Sequence, residues 1–458
     1  MQKIAQERKV QVIKRRSLTH LNFNTLQQFR QQFYGCLTRA ADALFNTADA
    51  LLTETQAQSF PELSLSPFFE RQWPSLYEAF EDGHIDQERL RGVFASHAPQ
   101  PKDGERMWLG IDATRIERPE AHTSKDRTVV YKPNLPRNTK PITYGWQFST
   151  LEVLPDQPSS WTYILDQQRI GSTQTAVQVA VEQMRAIAPL LQCRPILTSD
   201  RYYSCVPFLV GMKEVQADKL LRVKRNRVFY RRPPVPTGKR GAPRKHGDRF
   251  QCCDPCTHGT PDETWQGKDE KGTSLHVSAW HQLHLRQAAD IEVSLIRVVC
   301  ETAPPSRRTE RESWFLWDGQ EPLPLPQVCP GYRRRYSMEH GYRFKKQELL
   351  WEHPHLRTPQ QFERWSHIVA FVHNQLVFAR SLEQVKLRPW ESRERQPTPQ
   401  QVRRALTPII AQLGTPAKAP KPRGKSKGRL KGTTLAPATR YDVVRKPKTR
   451  PKTASPKP

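Results

Sequence analysis

Tyr332, Arg335, Glu339 and Lys346 form the pattern Y-x-x-R-x-x-x-E followed, after six intervening residues, by K. An α-helix turns about 100° per residue, so these four side chains fall at roughly 0°, 300°, 340° and 320°. On a single helix they would share one narrow face, with one carboxylate set between two cations and a phenol. A carboxylate can hold a divalent metal, and the cations can hold the phosphates on which that metal acts. Arg343 falls at about 20° on the same scale and is a further phosphate contact or a solvated charge. Gly341 sits inside the helix at a cost of about 1 kcal/mol relative to Ala; it permits close approach of a bound polyanion or is simply tolerated.

Two further acids have a shared context. Asp112 follows the apolar run Met107-Trp108-Leu109-Gly110-Ile111, and Asp200 follows Pro195-Ile196-Leu197-Thr198-Ser199. Each is trailed by an arginine, Arg115 and Arg201. One Asp at a strand end is ordinarily a cap or turn residue. Two of them, together with Glu339, can supply the hard oxygen donors that suit one or two Mg²⁺ ions. Two metals can activate the attacking oxygen at a phosphodiester and stabilise the leaving one.

The elements that must position these groups are legible in outline. Leu26, Phe29, Phe33, Leu37, Ala40, Leu44, Ala48 and Leu51 recur at spacings of three and four, which predicts one amphipathic helix from Asn24 to about Leu52. Shorter helical patterns follow around Ser75–Glu81 and Asp86–Ala95. Strands are expected over 107–111, 128–132, 144–154 and 195–198, with a helix through Ala176–Met184, so this region is α/β. The stretch from about 219 to 330 alternates like strands and reads as a β-rich insertion, with an exposed basic loop over Arg231–His246. Thr358-Pro359 and Thr398-Pro399 each open a helix. The expected domains are therefore a helical DNA-binding region over 1–100, the first part of the core over 101–218, and the insertion over 219–330. Core helices carrying the signature follow over 331–385, then a C-terminal helix over 386–414 and a disordered basic tail over 415–458.

Composition narrows the partners. The 458 residues carry 73 Lys and Arg against 45 Asp and Glu, a formal charge of +28. This points to a polyanion, nucleic acid before an anionic membrane surface. The tail alone has 14 Lys or Arg against Asp442, a net +13, and can hold nucleic acid without reading its sequence. No apolar run approaches the roughly 18–20 residues of a membrane span, and Met1–Ser17 lacks the apolar centre of a signal peptide. A cytoplasmic, nucleoid-associated protein with reduced thiols is expected. Cys253-x-x-Cys256, beside Cys252 and His258, has metal-ligand spacing without the second pair that a structural zinc site needs, so a thiol-rich loop is expected. No phosphate-cradling glycine motif is present.

The motifs Ile111-Asp112-Ala113-Thr114, Thr198-Ser199-Asp200-Arg201 and Tyr332…Arg335…Glu339…Lys346 resemble those of bacterial insertion-sequence transposases of the DDE type that bear a Y-R-E-K signature. The resemblance covers roughly residues 100–385. It implies a ribonuclease-H-like mixed sheet with flanking helices and a β-rich insertion, for which the 339 − 200 = 139-residue separation of Asp200 and Glu339 leaves room. It implies that Asp112, Asp200 and Glu339 are catalytic metal ligands for Mg²⁺, two ions, with Mn²⁺ able to substitute. Tyr332, Arg335 and Lys346 would contact DNA phosphates. Trp314 or Trp317 would stack on a flipped base unless strand packing claims it. The implied activity is cleavage at terminal inverted repeats and strand transfer into target DNA, by a homodimer in the DNA complex. The alternatives are a repurposed, inactive DNA-binding transposase and a structure-specific nuclease on the same core.

Overall fold

The computed structural model describes residues 22–446 apart from 133–135, 137–138, 236–243, 271, 301–311, 383–384, 386, 423–427 and 429. Met1–Ser17, the middle of the Arg231–His246 loop and the last part of the tail lie outside the described residues.

The N-terminal region is helical. It comprises α1 (22–34), β1 (Leu37–Arg39), α2 (Ala41–Thr53), α3 (Phe60–Leu63), α4 (Trp73–Asp82), β2 (His84–Ile85) and α5 (Gln87–Ser96). The single helix expected from Asn24 to Leu52 is thus two. The chain breaks at Gly35, β1 pairs antiparallel with β2, and Ala40 takes a left-handed φ of 52° before α2. The apolar period continues across the break because α1 and α2 bury their stripes in the same core, so spacing alone does not reveal it. Asp86 caps α5 by accepting from the Arg89 amide at 3.0 Å.

The α/β region follows with β3 (Trp108–Glu117), β4 (Thr128–Tyr131), β5 (Ile142–Val153), β6 (Tyr163–Ile170), α6 (Ala176–Ile187), β7 (Ile196–Ser199), α7 (Val206–Gly211) and β8 (Asp218–Val223). Next come β9 (Val228–Tyr230), β10 (Arg249–Gln251), β11 (Glu263–Lys268), β12 (Ser274–Leu285), β13 (Ala288–Cys300) and β14 (Glu312–Asp318). The helices α8 (Leu325–Arg333), α9 (Tyr336–Gln347), α10 (Pro359–Ala379), α11 (Pro399–Arg404) and α12 (Thr407–Leu413) end the ordered elements. Capping boxes at Thr175, Thr358 and Thr398 start α6, α10 and α11.

Among the described residues one mixed sheet of 12 strands runs β10-β9-β12-β13-β14-β8-β7-β3-β5-β4, with β11 beside β12 and β6 beside β5. Strands β3, β7 and β8 are parallel, and β5 is antiparallel to both β3 and β6. The β-rich stretch is not a separate sheet. Its strand β14 pairs antiparallel with β8 and extends the central sheet outward. One face of the centre packs on α6 and α7 through Leu109, Ile111, Leu151, Leu197 and Met184. The other face receives α9. A third cluster joins the N-terminal helices to α10–α12, with the Phe33 and Phe371 rings stacked at 3.6 Å. No helix among the described residues is long and apolar enough to cross a membrane.

The tail departs from the expected disorder where it is described. Val444 forms a parallel bridge with Thr128 at the β4 edge, and its amide donates to the Arg127 carbonyl at 2.7 Å. The Tyr441 amide donates to the His122 carbonyl at 2.8 Å, and Lys446 Nζ donates to the Gln174 carbonyl at 2.7 Å. Nearer its start, Lys418 is held between Asp42 and Arg71. Few apolar side chains are buried here. Backbone groups at an unpaired sheet edge supply the partners instead.

Candidate active site

The site is built where β3, the end of β7 and α9 meet. Asp112 and Gly110 pair with Thr150 and Glu152 of β5, so all four face α9. The strand holding Asp112 is longer than expected and continues to Glu117, which places the acid mid-strand rather than at its end. α9 comes close because Gly110 has no side chain. A Cβ there would stand 2.5 Å from Met338 Sδ and 2.9 Å from Leu154. Met338 is buried one residue before Glu339, so the seat that Gly110 offers sets where Glu339 emerges. Gly341 serves a second close approach. Its Cβ would lie 3.0 Å from Thr162 Oγ1, just before β6, so the helix meets the sheet here, not DNA.

The stripe expected from the signature does not lie on one helix. α8 ends at Arg333, and i,i+3 bonds from the Arg335, Ser337 and Met338 amides tighten the chain before α9 continues. Pro330 inside α8 supplies no N–H, which removes the bond to the carbonyl of residue 326 in the first turn of α8, not at this bend. Tyr332 nevertheless reaches the site, with the Arg335 guanidinium 5.7 Å from its ring centre and Phe315 packed at 4.9 Å on the ring.

Arg335 is the hub. Its Nη1 donates to Asp112 Oδ2 at 3.1 Å and its Nη2 to Glu339 Oε1 at 3.4 Å. The two carboxylates, 339 − 112 = 227 positions apart in the chain, are therefore spanned by one guanidinium fork. Asp112 Oδ1 accepts from the Ala113 amide at 2.8 Å. Burial pushes the Asp112 carboxyl up to about 6, the charges of Asp200 and Glu339 push the same way, and Arg335 opposes them. Burial alone would lower the Arg335 guanidinium, but Tyr332, Asp112 and Glu339 more than offset this and hold it charged. Asp200 stands in the turn after β7, where one carboxylate oxygen accepts from the Tyr202 amide at 2.9 Å. Its charge still acts on Asp112, so the three acids form one electrostatic group.

Three groups escaped the sequence reading. Tyr342 donates its hydroxyl to the Asp112 carbonyl at 2.9 Å and fixes α9 to β3. At about 280° on the helical scale it adjoins the signature stripe, so periodicity could have found it. Lys345 and Glu152 form an ion pair at 2.6 Å with both side chains fully buried behind the site. Glu152 sits in an apolar strand run, and nothing local marks its partner. Arg403 of α11 donates at 2.8 Å to the Glu348 carbonyl, which closes the C-terminal end of α9.

The remaining expected contacts are placed differently. Lys346 binds Glu352 and the Arg115 carbonyl, each at 2.6 Å, so its ammonium is engaged internally. Burial lowers its pKa, with Glu352 opposing. Arg343 is exposed with no ion-pair partner among the described residues. Trp314 and Trp317 are both buried in β14, so neither indole offers a face to a base; strand packing claims them. Trp314 joins a cluster of Phe250, His258 and Trp280. Tyr202 and Tyr336 are the exposed aromatics next to the acids. All eight cysteines are free, and Cys253 and Cys256 are exposed.

Among the described residues no three carboxylate, imidazole or thiol groups stand close enough to cage an ion as they are. The donor chemistry still fits a divalent cation. Asp112 and Glu339 offer hard oxygens across one guanidinium, and burial, with the charges of Asp200 and Glu339 adding to it, holds Asp112 back from ionising. No curated protein matches the chain. The family described as DDE superfamily endonuclease matches residues 32–288, more than half of the chain. That span contains Asp112 and Asp200, and Glu339 lies beyond it. On this match and this gathering of acids, the chain belongs to the DDE superfamily of endonucleases.

Proposed function

We propose that this endonuclease is an insertion-sequence transposase of the Y-R-E-K type, which cuts double-stranded DNA at terminal inverted repeats and joins the freed 3′ end to target DNA. The observation that carries the reading is the Arg335 fork joining Asp112 to Glu339 beside Asp200. The strand order β6-β5-β3-β7-β8, in which β5 alone runs against the other four, supports a ribonuclease-H-like core. Asp112, Asp200 and Glu339 would hold Mg²⁺, two ions, with Mn²⁺ as a substitute. Bound metal supplies activation of the attacking oxygen and charge neutralisation at the phosphate.

The chain's own groups do the rest. Tyr342 and the Gly110 seat hold Asp112 and Glu339 at fixed separation. Arg335 and Tyr332 lie where a phosphate beside the scissile bond would pass, and exposed Arg343 extends that track. Lys346 reaches phosphate after exchanging Glu352 for it. The net charge of +28 collects the polyanion, and the DNA complex contains two protomers. The test is incubation of end-containing DNA with Mg²⁺ and the wild type, Asp112→Asn, Asp200→Asn or Glu339→Gln. Loss of cleavage in all three variants, with joined products from the wild type, is expected. Cleavage without any joining would make the protein a nuclease only, and full activity in a variant would remove that acid from the site.

A further inference from the structure

The proposed metal site already holds a cation, and it belongs to the protein. Arg335 reaches Asp112 with one terminal nitrogen and Glu339 with the other. Its Nε is buried without a hydrogen-bond partner among the described residues, so the terminal nitrogens carry its carboxylate contacts. The Tyr332 ring lies beside the guanidinium, and Glu339 is half-exposed. The arrangement neutralises two acids, and among the described residues there is no cage of three donors for a metal. A divalent ion drawn to these carboxylates meets the charge of the guanidinium, so the two cations compete for them.

We propose that Arg335 is a displaceable resident cation: it bridges Asp112 and Glu339 until a divalent ion takes those oxygens, and the freed guanidinium then grips a DNA phosphate. The inference rests on the metal-dependent reading above. It makes metal binding and the grip on DNA mutually reinforcing, because each claims one side of the same exchange. In the metal-free protein Arg335 spends its hydrogen bonds internally and adds little to DNA affinity. With metal present the same side chain is released beside the anion it suits.

The experiment uses the full chain and the variants Arg335→Gln and Arg335→Lys. Mn²⁺ affinity is measured by calorimetry without DNA, and affinity for end-containing DNA is measured in Ca²⁺ and in EDTA. Arg335→Gln should bind Mn²⁺ roughly tenfold more tightly, because no charge-assisted hydrogen bonds need breaking. Arg335→Lys, which cannot fork across two carboxylates, should fall between. Arg335→Gln should weaken DNA binding in Ca²⁺ while leaving binding in EDTA nearly unchanged. A merely structural role for Arg335 predicts the opposite sign for Mn²⁺, since a loosened site binds metal less well. Unchanged or weaker Mn²⁺ binding by folded Arg335→Gln, or by Arg335→Lys if the Gln variant does not fold, overturns the exchange. Absence of Mn²⁺ binding by the wild type overturns the metal-dependent reading itself, and this inference with it.

Discussion

Asp112 is the acid at which protons and the proposed metal would compete. Its carboxyl lies at about 6 in the folded protein, above the ordinary aspartate value of about 3.9. The folded state therefore holds this proton more tightly than the unfolded chain does. Ionising Asp112 costs metal-free stability as pH rises from the ordinary value through about 6. A metal ligand must be deprotonated, so the sign for metal is reversed: affinity should rise up to about tenfold per pH unit below 6 and level off above 7. Mn²⁺ titrations from pH 5 to 8 check this, and Asp112→Asn should abolish the slope. Lys345 and Glu152 carry a second residue-scale prediction. Lys345→Met strands a buried carboxylate and should cost about 3–5 kcal/mol by denaturant unfolding. Adding Glu152→Leu should recover most of that loss. The three acids drew notice in the sequence through apolar runs and a charged stripe, although β3 carries Asp112 mid-strand and the stripe spans two helices. Arg335's bond to Asp112, Lys346's bond to the Arg115 carbonyl and the Lys345–Glu152 pair were not legible, because each joins residues distant in the chain. The tryptophans misled because an aromatic in a strand reads the same whether it faces core or solvent.

At the scale of elements, α9 is placed by absence of bulk. Gly110→Val would push into Met338 and Leu154, tilting the helix away from β3. It should destabilise by about 1–3 kcal/mol as overpacking and reduce cleavage beyond what the lost folded fraction explains. Comparing melting temperature with kcat on end-containing DNA separates the two effects. Strand positions and the threonine-capped helices were readable from apolar runs and local chemistry, because caps satisfy groups three residues away. The bend between α8 and α9 was not readable. It was masked by a four-residue pattern that fits an unbroken helix. The split between α1 and α2 was hidden by the same cause, a shared core that keeps the apolar period running through a turn.

At the scale of the whole molecule, the N-terminal helices are not a free appendage. Arg30 binds Asp49 at 2.6 Å, Gln375 at 2.8 Å and the Gly414 carbonyl at 2.9 Å, so both ends of the chain close on one buried guanidinium. The basic character of the molecule was evident from composition, whereas the docking of the tail depends on a sheet edge that only the fold supplies. Truncation after Arg440 removes 6 cations and the β4 bridge; truncation after Gly414 removes all 14. The salt dependence of DNA affinity should flatten in proportion, while chemistry on bound DNA is spared. An unchanged slope in the longer deletion would refute a DNA-holding role for the tail.

The tail is tied to the body at Lys418 and again at Tyr441. The 440 − 418 = 22 residues between the two ties have a contour of about 80 Å, so no charge among them can stray more than about 40 Å from the body. A polyanion enclosed by that loop would stay near the protein between successive encounters, and release would require one tie to come undone.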